Sequence, residues 1–430
     1  MGTTGWFRNV IVRKRDGGAV AEDEWRRFVA ELTTGQLADY QVAAFLMAIY
    51  FRGMTVAETA ALTDALAASG EQLSFPRSGY VDKHSTGGVG DATTLVAVPW
   101  AAACGAHIPK LSGRALGYTG GTTDKLGAVG GFTLSLPADR FQEQVARIGC
   151  AIADAGALAP ADKLLYELRD VTGTVPARPL IVASILSKKF AAGAPAFVFD
   201  VKCGAGAFMK TEADARKLAA ELVEGARAGG RQAVAVISAM DQPLGRAVGN
   251  ALEVAAAAAV LRGEGPADLL ELSGVLAAEM LVLAGVAVRA EVGERLDRAL
   301  STGAAAAKLD EMMRAQGAAR DWVARLPRAA KTRDVVAAES GYLSRLDALA
   351  VARAAAALGA GRARKNDVVD YAAGIVLQKK VGDAVERGQP VLTLHYNDGA
   401  RVTTAYEEAA AAITVGRRPK ARPLIIDIVR

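Results

Sequence analysis

Residues 81–91 read Val81-Asp82-Lys83-His84-Ser85-Thr86-Gly87-Gly88-Val89-Gly90-Asp91, an extended segment that runs into a glycine-rich turn ahead of a helix. Glycines let consecutive backbone N–H groups turn toward one point, and the helix N-terminus adds partial positive charge, so an anion can sit there. Lys83 adds a full charge, and Ser85, Thr86, Thr93 and Thr94 add hydroxyl donors. Neither GxxxxGK[ST] nor GxGxxG occurs in the chain, so this is not a nucleoside-triphosphate loop or a dinucleotide fingerprint. An ordinary tight βα turn is the competing reading. Residues 110–125 carry five hydroxyl side chains, four glycines and three cations, which suits an oxyanion with many acceptors. A surface loop is the alternative there.

His84 is one of only three histidines. A structural role is the plain reading, but between Lys83 and Ser85 it would place a proton donor beside an anion site. His107 and His395 read as structural. Farther on, Ser184 and Lys188 share one helix face. With Arg169, and Tyr166 alongside, they could bind the carbonyls of a planar heterocycle. A solvated helix face explains the same spacing.

These groups need elements to hold them. Apolar spacing predicts helices over 22–31, 41–51 and 56–68, the last opened by a Thr55/Glu58 capping box. Strand and helix then alternate: a strand at 80–81, a helix over 91–104, a strand over 107–111, a helix over 138–148 and a strand over 150–153. Helices at 163–169 and 180–191 interrupt that order. It resumes with strands at 197–201 and 233–237 and helices at 213–226 and 246–261. Such alternation predicts a parallel α/β sheet, with the anion loops on its carboxyl edge. The expected fold is therefore α/β. A small all-α domain (1–66 and 160–192) faces a larger α/β domain (78–153 and 195–330), followed by a β-rich, barrel-sandwich-like C-terminal unit (331–430).

The chain has 430 residues, 51% hydrophobic and 23% charged, enough apolar surface for full cores. Its net charge is +5 with scattered cations, which gives nucleic-acid binding little support. Cys104, Cys150 and Cys203 lie far apart without a metal-binding or disulfide pattern. No signal peptide, myristoylation motif or convincing membrane span is visible, so a cytoplasmic location is expected.

Lys83-His84-Ser85-Thr86-Gly87-Gly88-Val89-Gly90-Asp91, and Ser112-Gly113-Arg114-x-Leu116-Gly117-x-Thr119-Gly120-Gly121-Thr122-x-Asp124-Lys125, resemble the signatures of the thymidine and pyrimidine-nucleoside phosphorylases. The resemblance runs nearly end to end, including Lys14-Arg15-Asp16-Gly17, Ala159-Pro160-Ala161-Asp162-Lys163, the 200–209 segment and Gly249-Asn250-Ala251-Leu252-Glu253-Val254. It implies reversible phosphorolysis of pyrimidine nucleosides to free base and pentose 1-phosphate by a homodimer assembled through its helical domain. It assigns phosphate to Lys83, Ser85, Thr94, Lys110, Ser112 and Thr122. It assigns the pyrimidine to Arg169, Ser184 and Lys188, with Tyr166 nearby, and the pyrimidine O2 to His84. Domain closure about hinges near 66–79, 154–162 and 192–196 is expected to align substrates and exclude water.

No cofactor is expected, and inorganic phosphate is the co-substrate. Some relatives hold a monovalent cation near the positions of Gly90, Ala92, Leu244 and Ala247. Here Ala92 lacks a side-chain donor and the usual carboxylate position is Ala256, so only backbone carbonyls remain for K+. Two signature positions also depart, with Tyr118 in place of histidine and Gly127 in place of glutamate. Softer signals at 39–41, 50–54 and 242–245 resemble the broad enzymes more than the thymidine-restricted ones. The Val381–Gly388 segment resembles the hairpin of biotinyl and lipoyl carriers, without their modifiable lysine. A thymidine-restricted enzyme and a non-catalytic binding relative stay open. A phosphoribosyltransferase would need an acidic magnesium pair, which is not seen.

Overall fold

A computed structural model describes residues 4–113, 120–154, 158–362 and 367–430. Four helices open the chain: α1 (Thr4–Arg15), α2 (Glu22–Thr33), α3 (Asp39–Arg52) and α4 (Val56–Ala67). Alternation follows with β1 (Asp82–Ser85), α5 (Thr93–Ala103), β2 (Ile108–Ser112), α6 (Thr122–Leu126), α7 (Ala138–Ile148) and β3 (Cys150–Asp154). Helices α8 (Pro160–Thr172) and α9 (Arg178–Ala191) precede β4 (Ala196–Cys203), α10 (Glu212–Ala228), β5 (Gln232–Ala239), β6 (Ala247–Val248) and α11 (Asn250–Leu261). Three further helices are α12 (Ala267–Leu283), α13 (Val292–Ser301) and α14 (Ala304–Ala315). The remainder holds β7 (Lys331–Val336), β8 (Gly341–Leu346), α15 (Ala348–Ala355), β9 (Gly374–Leu377), β10 (Ala384–Val385), β11 (Pro390–Tyr396), α16 (Val402–Ala411), β12 (Ile413–Gly416) and β13 (Ile425–Val429).

Contacts divide the chain into two compact units, residues 1–77, 155–195 and 220–233, and residues 78–154, 196–219 and 234–430. The first is helical around Phe7, Trp25, Phe28 and Phe45, whose neighbouring rings lie 5.2 to 5.9 Å apart. The capping box is formed: Glu58 N–H donates to Thr55 Oγ1 at 3.1 Å, and Thr55 N–H to Glu58 Oε2 at 2.8 Å. Glu58 Oε1 also accepts from Lys14 Nζ at 2.7 Å, which ties α4 to α1. That buried ion pair sits in the Lys14-Arg15-Asp16-Gly17 motif.

In the second unit, β1 pairs parallel with β4, and β2 parallel with β3. Sheet order is β1-β4-β5-β13, with β13 antiparallel to β5, so the chain's last strand completes the α/β sheet. Two further sheets, three-stranded β10-β8-β12 and four-stranded β6-β9-β11-β7, make the β-rich part, and β6 joins the second of them to the α/β segment. Helix α5 carries no charged residue and is buried from Thr93 through Ala102.

Several sequence expectations shift. The strand expected at Tyr80–Val81 is β1 instead, while Tyr80 makes an isolated parallel bridge to His107. Lys83 and His84 can lie in a strand because β4 pairs with their backbone. The helix expected from Arg246 begins at Asn250, because Ala247–Val248 pairs with β9 and Gly249 (φ +140°) breaks the chain direction. Of the 381–388 hairpin only Ala384–Val385 is a strand, paired with Gly341–Tyr342. Among the described residues no helix is long and apolar enough to cross a membrane.

Candidate active site

Side chains alternate across a strand, so Lys83 and Ser85 share one face of β1 and His84 takes the other. Lys83 is fully buried. Its Nζ donates to Thr93 Oγ1 at 2.6 Å and reaches Thr94 Oγ1 at 3.4 Å, both on the first turn of α5. Asp200 Oδ2, from the parallel neighbour β4, lies 3.5 Å away. Ser85 Oγ donates to Asp91 Oδ2 at 2.6 Å, folding the glycine turn back on the strand end. His84 is half-buried, its ring edge toward Phe199 at 6.5 Å between centroids.

Beneath the turn lies a network of six buried charges. Lys202 Nζ is 2.8 Å from Asp200 Oδ2 and 3.7 Å from Asp91 Oδ1. Lys125, on α6, donates to the Asp91 carbonyl at 2.6 Å and pairs with Glu253 at 2.8 Å. The three lysines balance Asp91, Asp200 and Glu253. Burial pushes Asp91 up, but the ammoniums of Lys202, Lys83 and Lys125, with the Ser85 hydroxyl, outweigh it and hold its carboxyl well below the usual range. Burial dominates at the other two: the Lys83 ammonium is pushed down despite Asp91 and Asp200, and Glu253 is pushed up despite Lys125. A buried ammonium destabilised in this way gains from a further anion.

The described ends of the second loop lie beside β1 and the glycine turn. Val81 N–H donates to the His107 carbonyl at 3.0 Å, which sets β2 alongside β1. Ser112 ends β2, and Thr122 opens α6 one turn before Lys125. Lys110 is buried with its Nζ on the Leu111 carbonyl at 2.7 Å. Residues 114–119, including the departing Tyr118, lie outside the described residues. At Gly127 an ideal Cβ would lie 2.7 Å from the Tyr371 hydroxyl, so a larger residue there would require the Tyr371 side chain to move.

The residues expected to meet the base, His84 apart, assemble in the helical unit. Asp162, Tyr166 and Arg169 line one face of α8, and Ser184 and Lys188 one face of α9. Asp162 Oδ2 accepts from Ser184 Oγ at 2.9 Å and from Lys188 Nζ. Arg169 is 1% exposed. It donates to the carbonyls of Val175 at 2.7 Å and Leu180 at 3.1 Å, and its guanidinium lies 5.7 Å from the Tyr166 ring centre. Burial pushes the Arg169 guanidinium down and the Tyr166 hydroxyl up. Arg169 Nε and Asp162 Oδ1 are buried without a hydrogen-bond partner among the described residues.

Sequence reasoning missed Asp162, although its spacing from Tyr166 and Arg169 placed it on their face. It also missed the pairing of Asp200, Lys202, Lys125 and Glu253, which come from separate elements. For a cation, the carbonyl oxygens of Leu244 and Ala247 do gather at Gly90, 2.4 and 2.9 Å from where its Cβ would be. The α11 carboxylate, Glu253, is committed to Lys125 and to Gly249 N–H. Ala92 and Ala256 contribute no donor side chain, so backbone carbonyls are the donors this place offers a monovalent cation.

Comparison with known proteins bears on the whole chain. Residues 77–306 match the glycosyl transferase family α/β domain, residues 8–70 its helical bundle domain, and residues 342–416 the pyrimidine nucleoside phosphorylase C-terminal domain. The chain is 50% identical to a pyrimidine-nucleoside phosphorylase of Bacillus subtilis, over 90% of this chain and 92% of that one. It is 46% identical to a thymidine phosphorylase of Mycobacterium tuberculosis, over 97% of each. Among solved structures, an anthranilate phosphoribosyltransferase of Thermus thermophilus shares the fold, with a TM-score of 0.60 at 21% identity, covering 71% of this chain and 98% of that one.

Proposed function

This chain belongs to the pyrimidine-nucleoside and thymidine phosphorylase family of glycosyl transferases, and we propose that it catalyses reversible phosphorolysis of uridine, thymidine and deoxyuridine to free base and (deoxy)ribose 1-phosphate. The observation that carries this reading is the fully buried Lys83 ammonium, ringed by the hydroxyls of Thr93 and Thr94 beside a glycine turn. Phosphate binds there, assisted by Ser85, Lys110, Ser112 and Thr122. A phosphate oxygen bonds to C1′ as the C1′–N1 electron pair leaves with the base. Negative charge therefore grows on the pyrimidine through an oxocarbenium-like state, and Arg169 and Lys188 stabilise it most where it is largest. Ser184 and Tyr166 orient the ring, and His84 donates to the pyrimidine O2.

Phosphate is the co-substrate, and no cofactor or metal enters a step. The working form is a cytoplasmic homodimer. Val12 on α1, Tyr40, Met47, Tyr50 and Phe51 on α3, and Val171 on α8 give the helical unit its exposed apolar surface, which a second copy would cover.

The test is the ultraviolet change as base is released from uridine or thymidine, with and without phosphate. Release from both, only with phosphate, is expected. Release from thymidine alone would narrow the substrate range to the thymidine-restricted enzymes. No release from either would overturn the reading in favour of a binding protein.

A further inference from the structure

Residues 243–247 form a ribbon whose carbonyls divide between two neighbours. Those of Leu244 and Ala247 press on Gly90, and Leu244 N–H donates to the Val89 carbonyl at 2.9 Å. The others face the segment after β9. Lys380 Nζ donates to the carbonyls of Pro243 and Gly245, the latter at 2.9 Å, and pairs with Asp268 Oδ2 at 2.9 Å. The same Asp268 oxygen accepts Gly245 N–H at 3.1 Å. Arg246 and Gln242 complete the join, through Leu377 N–H to the Arg246 carbonyl at 2.8 Å and Val381 N–H to Gln242 Oε1 at 3.0 Å.

We infer that Lys380 is a positioning residue for phosphate, acting from the C-terminal segment through this ribbon on the Gly87–Asp91 turn. Gly90 has φ +68° and no room for even a methyl group, so the ribbon's position fixes the turn's position. The turn in turn fixes Asp91, which orients Ser85 and pairs with the lysine network. One ammonium satisfies two carbonyls and a carboxylate at once. Without it, two carbonyls and Asp268 lose their shared donor and the ribbon is free to move off Gly90. The inference rests on the phosphate site proposed above.

Steady-state kinetics on the full chain test it with Lys380→Met, Lys380→Arg and the milder Asp268→Asn. Lys380→Met should raise the phosphate KM on the order of 10-fold, since misplacing a binding group by about 1 Å costs up to 100-fold. The nucleoside KM should stay within about twofold, because Arg169, Ser184 and Lys188 lie on α8 and α9 and β4 holds the backbone of His84. Lys380→Arg should recover part of the loss. Asp268→Asn should act in the same direction, and its effect should not add fully to that of Lys380→Met. An unchanged phosphate KM in a folded variant would overturn the inference. So would a loss of kcat matching the loss of folded protein with both KM values unaltered. Failure of the phosphorylase reading is distinct: wild-type turnover would then show no saturable dependence on phosphate.

Discussion

Asp162 is fully buried, and one of its oxygens binds both Ser184 and Lys188 while the other has no partner among the described residues. It therefore sets the direction of two groups proposed to meet the pyrimidine. Asp162→Asn keeps the shape but replaces a charge-assisted bond, worth about 1.5–3 kcal/mol. The nucleoside KM should rise on the order of 10-fold with the phosphate KM unchanged. A variant with both constants at wild-type values would show that Lys188 is held without the carboxylate. On the side proposed for phosphate, Asp91 has a carboxyl lowered well below its usual value, with burial opposing and Lys202, Lys83 and Lys125 prevailing. A depressed carboxylate contributes stability that is present above its unfolded pKa, about 3.9, and is lost as pH falls toward the folded value. The Tm difference between wild type and Asp91→Asn should be largest near neutrality and shrink below about pH 4. A difference that is constant across that range would mean Asp91 matters for shape alone.

Elements with one apolar face were legible from the sequence. The helix expected over 138–148 is α7, because Phe141, Val145 and Ile148 bury one side of an otherwise charged segment. Elements without that contrast were harder to read. α1 was missed: Phe7 and Val10 are buried among exposed basic residues, and Lys14 is buried only because Glu58 on α4 neutralises it. β1 was displaced because Lys83 and His84 look like loop residues until β4 supplies their backbone partners. β6 was absorbed into a predicted helix because its pairing partner lies in β9, far along the chain. The candidate site divides in the same way. The glycine turn and its hydroxyls are consecutive and can be read directly. The charges beneath them come from β4, α6 and α11, and their pairing exists only after folding. The neighbourhood of Gly127 belongs to this second kind, since Tyr371 comes from outside the motif.

For the molecule as a whole, the exposed large apolar residues are unevenly placed. Tyr40, Met47, Tyr50 and Phe51 recur along α3 at a spacing that keeps them on one side, while its buried residues Val42, Phe45, Leu46 and Ile49 take the other. Phe51 is 75% exposed and packs edge-on against Tyr50 with centroids 5.5 Å apart. An isolated exposed leucine needs no explanation, but aromatic residues lined along one helix face favour association with a matching surface. A two-fold interface is self-complementary, so each substitution enters it twice. Phe51→Glu would place two carboxylates in the apolar contact, and light scattering should shift from twice the 44.5 kDa chain toward a single chain at micromolar concentration. The buried core of the helical unit does not include Phe51, so far-ultraviolet circular dichroism should be unchanged. A wild-type chain that already runs as a monomer would overturn the homodimer, and a variant that remains fully dimeric would place the interface elsewhere. Asp162, Arg169, Ser184 and Lys188 belong to this same unit, so a monomeric variant also measures their dependence on the dimer. Retained nucleoside KM would mean the pyrimidine residues are positioned by α8 and α9 within one chain.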